Sequence, residues 1–350
     1  GPATGIDWVK LLHGEQGLEL HAPLPAAGTV VGKSRVTALV DKGAGKGALM
    51  YSERDIVDGA SGTVVVEPGP DDLRVYRQRL RELAKEQREL GRLRTKPTRT
   101  RDGVDIALLA NAESREDVAQ AHSLGAAGLG LYRTEFLFLQ RNELPDEEEQ
   151  FRIYRDVVLG MSGRPVTIRT LDLGADKADR TGLVLGNEEN PALGLRGVRL
   201  SLVHGDLFDT QLRAIVRASG YGPVRVLVPM ISNREEIVAV RKRLKRVADK
   251  LRKEGAEVAD DIPRGAMIEV PAAAIALHAF VDIVDFLSIG TNDLVQYLLA
   301  ADRNNDALGE LYSPLNPGVV RLLKHIINVA NEHDTPVAVC GEIAGDAALA

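Results

Sequence analysis

Two arginines, two carboxylates and a cysteine stand where short apolar runs of the sequence give out. Arg133 follows Gly-Leu-Gly-Leu-Tyr, and Arg169 follows Val-Thr-Ile with Asp172 three residues on. Glu269 follows Ala-Met-Ile, Asn292 and Asp293 follow Phe-Leu-Ser-Ile-Gly-Thr, and Cys340 follows Val-Ala-Val. Lys177, Arg196 and Arg303 lie in the segments near such ends. A guanidinium is a planar fork that matches phosphate or carboxylate. Glu269 and Asp293 are hard oxygen donors, and two carboxylates completed by substrate oxygens suit Mg²⁺. Without a cation, two carboxylates in one pocket repel each other. The set therefore points to a small molecule carrying both phosphate and carboxylate. Moving its phosphoryl group would rest on positioning and charge neutralisation, and Cys340 would suit a proton donor to a carbon centre. One charged residue after an apolar run is ordinarily a solvated strand end. Five runs ending this way is the pattern of a site.

The elements that must position these residues are legible as an alternation. Apolar runs at Asp105–Asn111, Gly128–Glu135, Val166–Asp172, Val226–Ile231, Gly265–Val270, Phe286–Asn292 and Val337–Glu342 are separated by helical patterns such as Glu235–Lys253 and Val319–Glu332. Strand and helix in alternation predict the α/β class, with a parallel sheet and crossover helices. Such a repeat predicts a (β/α)₈ barrel of the TIM type, whose chemistry collects at the C-terminal ends of the strands. Seven strands are legible, so the last βα unit is expected to be absent or unrecognised. A doubly wound sheet is the rival, but the turn after its first strand would be glycine-rich, and here it reads Ala110-Asn111-Ala112-Glu113.

Ahead of the barrel, Pro70-Asp71-Asp72 opens a polar helix expected over 71–95, with Leu73, Tyr76, Leu80, Leu83, Leu90 and Leu93 on one stripe and Pro97 beyond its end. Residues before it are rich in Gly, Pro, Val and Ala, with strand-like runs at Gly28–Val40 and Gly62–Val66. Three regions are expected: a β-rich fragment over 1–60, a tail and linker helix over 61–98, and the barrel over 99–350.

Composition narrows the classes. With 44% hydrophobic and 27% charged residues in 350, the chain can bury a sizeable core. Net charge is −6, and acidic residues interleave with the basic ones of 74–101 over most of that stretch, so a solvated helix face is expected there and no nucleic-acid arm. No apolar run approaches the roughly 20 residues of a bilayer span, and the opening Gly-Pro-Ala-Thr-Gly, with no basic stretch or apolar run, leads to the expectation of no signal peptide. A single cysteine excludes an internal disulfide. These features predict a cytoplasmic setting with no membrane contact.

Several longer motifs carry a family resemblance. Gly-Leu-Tyr-Arg-Thr-Glu-Phe-Leu-Phe at 130–138, Arg-Thr-Leu-Asp-Leu-Gly-Ala-Asp-Lys at 169–177 and Glu-Asn-Pro-Ala-Leu-Gly-Leu-Arg at 189–196 are three of them. Gly-Thr-Asn-Asp-Leu-Val-Gln-Tyr at 290–297, Ala-Ala-Asp-Arg-Asn-Asn-Asp at 300–306 and Cys-Gly-Glu-Ile-Ala-Gly-Asp at 340–346 complete the series. From about Gly62 onward the chain resembles enzyme I of the bacterial phosphotransferase system, the phosphoenolpyruvate–protein phosphotransferases. The resemblance implies a phosphoenolpyruvate-utilising barrel in which Arg133, Arg169 and Arg303 bind the phosphate beside Asn292, with Arg196 and Lys177 assisting. It further implies Mg²⁺ on Glu269 and Asp293, and Cys340 protonating the enolate so that pyruvate leaves. A homodimer and a histidine-containing phosphocarrier protein as partner are implied too. A phosphoenolpyruvate synthase or dikinase fragment shares parts of the pattern, and a non-catalytic binding or dimerising module is the other alternative.

Two features depart from that family. Its phosphoryl acceptor is a histidine in a Gly/Thr/Ser-rich context ahead of the linker helix, and none of the seven histidines, His13 and His21 included, has such a context. Residues 1–57 instead resemble the start of MaoC-type enoyl-CoA hydratases, through Ile6-Asp7-Trp8, Leu12-His13-Gly14-Glu15-Gln16, Pro23-Leu24-Pro25 and Val40–Gly47. The catalytic half of that family is not legible, so no hydratase activity is expected. Gly43–Gly47 lacks the following Gly-Lys-Ser/Thr of a phosphate loop.

Overall fold

Each apolar run between residues 104 and 340 becomes a short parallel strand because both of its faces find cover. The computed structural model describes residues 30–41, 48–58, 70–94, 96–139, 143–174, 188–303 and 305–345. The chain divides into two compact units, 1–93 and 94–350.

In the first unit, β1 (Val30–Asp41) and β2 (Ala48–Asp58) form an antiparallel pair, with Val30 opposite Asp58 and Asp41 opposite Ala48. The first of these strands matches expectation. The second was not anticipated, because Ser52-Glu53-Arg54-Asp55 hides the alternation of its apolar residues. The run expected at Gly62–Val66 lies outside the described residues. The polar helix spans Pro70–Gly91, four residues short of the predicted end. It stops at glycine, which disfavours helix, well before Pro97. Leu83 and Leu93 of its predicted stripe are exposed.

The second unit holds a seven-stranded parallel sheet in strict sequence order. Its strands are β3 (Ala110–Ala112), β4 (Leu129–Tyr132), β5 (Val166–Arg169), β6 (Val224–Val228), β7 (Arg264–Ile268), β8 (Phe286–Ile289) and β9 (Val337–Val339). All seven expected strands are present. The first falls later than its apolar run, since Asp105 is drawn into an antiparallel bridge with Arg99.

Side chains alternate across each strand, and here both sides are dry. Outward residues such as Val226, Ile268, Leu287 and Ile289 pack with Phe208, Leu212, Leu244 and Ile326 of the surrounding helices in one large core. Leu131, Leu227, Met267, Phe286 and Cys340 form a separate buried cluster, as expected for the filled interior of a curled sheet. Each fully buried Leu or Ile contributes roughly 1.5–3 kcal/mol, and the strands are lined with them. The curl brings the two edge strands near each other. Asn111 of β3 donates from Nδ2 to the carbonyl of Cys340, just past β9, at 2.9 Å.

Helix starts are fixed by local chemistry at the same end of the sheet. Ser114 caps the helix Arg115–Leu124 and forms a reciprocal capping box with Asp117. Asn233 and Glu236 do the same for Arg234–Lys253. The short strand-to-helix turns this produces are what carry the polar strand-end residues.

Candidate active site

Arg169 is the last residue of β5, and its guanidinium is 12% exposed. Nη2 pairs with Oε2 of Glu135 at 3.1 Å, Nη1 lies 3.6 Å from Oδ2 of Asp172, and Nε is buried without a hydrogen-bond partner. Burial works against its charge, but Glu135, Asp172 and Glu269 outweigh that and hold the group protonated. Leu171 and Leu173 pack with Phe138 and Leu200 in an apolar cluster, and Asp172 between them meets the arginines.

Arg196 meets Asp172 through two parallel hydrogen bonds, Nε to Oδ1 at 3.0 Å and Nη2 to Oδ2 at 2.8 Å. Its Nη2 also reaches Oδ2 of Asp293 at 3.1 Å, and its Nη1 donates to the Tyr297 hydroxyl at 3.1 Å. Here too burial opposes the charge and Asp172 more than restores it.

Asp293 sits in the first turn of the helix Thr291–Leu299, where a negative charge is favoured. Its Oδ1 is buried without a hydrogen bond, and Nη1 of Arg303 is 3.7 Å away. Glu269, one residue past β7, is buried and accepts from the Met230 amide through Oε1 at 2.6 Å. A Cβ on Gly290 would lie 2.6 Å from Oε2 of Glu269, so glycine there leaves room for this carboxyl beside the start of the helix Thr291–Leu299. Burial, then the charges of Asp172 and Asp293, push Glu269 well above the ordinary glutamate range.

The other expected residues are at the same end of the sheet. Arg133 follows β4 and is ion-paired with Glu113. Asn292 exchanges bonds with Glu342, donating to Oε1 at 3.2 Å and accepting from the backbone amide at 2.9 Å. Cys340 is a buried free thiol. Burial raises its pKa, so it is held as the neutral S–H, and both Arg169 and Arg133 act on it electrostatically. The structure thus links Arg169, Arg196, Glu269, Asp293 and Arg303 through one set of carboxylates. Asn292 is turned to Glu342, and Lys177 lies outside the described residues.

A family model described as PEP-utilising enzyme, PEP-binding domain, matches residues 87–350, well over half of the chain. The chain belongs to the PEP-utilising enzymes. Among curated relatives, the phosphoenolpyruvate-protein phosphotransferase of Cupriavidus necator is 49% identical over 296 residues, covering 84% of this chain and 50% of that protein. The enzyme of the same name from Geobacillus stearothermophilus is 44% identical over 317 residues, covering 91% of this chain and 53% of its own length. The chain spans about half the length of the curated relatives it matches. A second family model, the MFE-2 hydratase 2 N-terminal domain, matches residues 2–69.

Sequence reading did not single out Glu113, Glu135 or Tyr297. One signal was available for the two carboxylates: arginines placed at buried strand ends require anionic partners.

Two observations bear on whether this PEP-binding domain can take a divalent cation. No group of three or more Asp, Glu, His or Cys suited to a metal occurs among the described residues. Yet Oδ1 of Asp293 is buried without a hydrogen bond, and Glu269 is disfavoured as an anion by burial and then by its carboxylate neighbours. Two hard oxygen donors, one with an oxygen left without a hydrogen bond and one buried beside other carboxylates, fit a cation whose remaining ligands come from substrate and water.

Proposed function

We propose that the strand-end mouth of the 94–350 unit binds phosphoenolpyruvate with Mg²⁺, and that the phosphoryl group passes to a histidine and onward to a phosphocarrier protein of the sugar phosphotransferase system. The observation that carries this reading is the convergence of Arg169 and Arg196 with Glu269 and Asp293 through the shared carboxylate of Asp172. Arg133, Arg169 and Arg303 are assigned to the phosphate, with Asn292 beside it. Arg196 and Lys177 hold the rest of the ligand. Glu269 and Asp293 would hold Mg²⁺, which would supply charge neutralisation to the phosphoryl group.

Apart from the acceptor histidine, for which none of this chain's seven histidines has the expected context, the chain's own groups supply the remaining steps. The guanidiniums orient the phosphorus for in-line attack by the acceptor imidazole. As the P–O bond breaks, its electron pair stays on oxygen as the enolate. Cys340, kept as the neutral thiol by burial, donates its proton to the terminal carbon and leaves pyruvate. A homodimer and a cytoplasmic setting belong to the same proposal. Among the described residues no helix is long and apolar enough to cross a membrane.

Calorimetric titration with phosphoenolpyruvate in Mg²⁺ is expected to show binding that Arg169→Ala removes. No binding, or binding unchanged in that variant, overturns the assignment. Transfer of ³²P to a carrier protein with equal release of pyruvate tests the chemistry. Ligand binding without either product would favour a non-catalytic module.

A further inference from the structure

We propose that Asp172 and Glu135 are positioning residues of the mouth, two carboxylates that set where the guanidiniums of Arg196 and Arg169 point without meeting the ligand themselves. This rests on the phosphoenolpyruvate reading above and adds the residues that prepare that site.

The geometry forms a chain of contacts. Glu135 is held at both oxygens, with Oε1 accepting from the Asp172 backbone amide at 3.0 Å and Oε2 meeting Nη2 of Arg169. Asp172 lies within reach of both arginines, and its paired bonds to Arg196 fix the plane of that guanidinium as well as its distance. What remains of the donor set is unequal. Nε of Arg169 is buried with no partner. A buried guanidinium donor left over after two carboxylates have fixed the group is a donor reserved for an incoming anion.

The backbone is shaped to the same end. Gly197, at φ +57°, follows Arg196 directly. A Cβ there would lie 2.7 Å from Met230 and 3.3 Å from Oδ1 of Asp172. Only glycine lets the loop lay Arg196 onto that carboxylate. Stability alone does not explain the arrangement, since buried ion pairs are commonly no better than apolar residues of the same volume. Aiming two fixed positive forks at one point is a task apolar residues cannot perform.

The test uses the full chain, with Asp172→Asn and Glu135→Gln. Removing the Asp172 charge leaves the buried Arg196 guanidinium with Asp293 as its remaining carboxylate partner and can unfold the chain, so Glu135→Gln is the second, milder variant. Phosphoenolpyruvate affinity in Mg²⁺ is expected to weaken about 10- to 100-fold in each folded variant, the range seen when groups orienting a ligand shell are removed. The ¹H–¹⁵N signals of the arginine Nε groups supply a second readout. The Arg196 signal is expected to lose its protection from exchange in Asp172→Asn, and the Arg169 signal to shift in Glu135→Gln. A weakened affinity with both signals unchanged overturns the positioning role, as does wild-type affinity in both variants. Failure of the unsubstituted chain to bind phosphoenolpyruvate would instead overturn the reading beneath it.

Discussion

Two arginine–carboxylate networks of the 94–350 unit stand in contrast, one at the strand-end mouth and one on the outer helices. On the outside, Arg213 pairs with Glu147 and Glu254, while Arg217 pairs with Glu147 and Glu148 and stacks 3.9 Å over the Phe151 ring. These arginines are 21% and 25% exposed, and water can complete their bonding. At the mouth Arg169 and Arg196 are 12% and 14% exposed, yet Nε of Arg169 and Oδ1 of Asp293 have no hydrogen-bond partner. The outer network satisfies itself and joins helices. The inner one is drier and less satisfied, the reverse of what stability alone would select. Pairing chemistry is therefore no guide to role; the unfilled bonds are.

Breaking each network should separate the two roles. The largest effect is expected from Arg169→Ala, which should weaken phosphoenolpyruvate binding by at least about 100-fold, the scale of a lost charge-assisted contact of roughly 3 kcal/mol. Titration calorimetry measures it, and a change below tenfold would place Arg169 with the structural arginines.

Next is the pH dependence of Mg²⁺ binding. The Glu269 carboxyl is raised to about 8 in the folded chain, chiefly by burial. It is therefore protonated at neutral pH without a cation, and Mg²⁺ must displace that proton. Affinity should rise as pH approaches 8, with release of about one proton, read by calorimetry in buffers of different ionisation enthalpy. The stability sign is opposite. A carboxyl raised in the folded state stabilises fully below its unfolded pKa, and that contribution is lost as pH rises through the folded value. Glu269→Gln should flatten both dependences.

A smaller effect is expected from Glu147→Ala on the outer network. It should lower stability by about 1–2 kcal/mol through loss of partly buried pairs and leave ligand affinity unchanged. Denaturant midpoints and calorimetry together decide this, and a matching loss of affinity would dissolve the contrast between the networks. Smallest is Ser114→Ala, which should cost about 1 kcal/mol by removing a helix cap. Asp117 in the same box is held below the ordinary aspartate range, first by the Glu113 amide. Its contribution is present above the unfolded pKa and is lost as pH falls through the folded one, so the Ser114→Ala deficit should shrink in acid.

Much of this was legible in the chain. The strands announce themselves because a parallel sheet buried on both faces needs continuous apolar runs, and Arg169, Glu269 and Asp293 stand out as charges placed directly after such runs. The companions are harder to see. Glu135 belongs to a helix four residues past β4's Leu131, and nothing local ties it to Arg169. Tyr297 meets Arg196 across 101 positions of sequence. Such pairings exist only through space, so residue type and spacing do not display them. β2 escaped for a different reason, since its charged centre obeys no two-residue apolar rhythm.

The bond from Asn111 to the carbonyl of Cys340 joins positions 229 residues apart. A contact of that span is among the last a chain can close, because the intervening polymer must already be ordered. Refolding should therefore regain helical signal and much of its compactness before the cysteine reaches its place, and ligand competence should be the slowest property to return. The thiol, in kinetic terms, reports that the sheet has been completed.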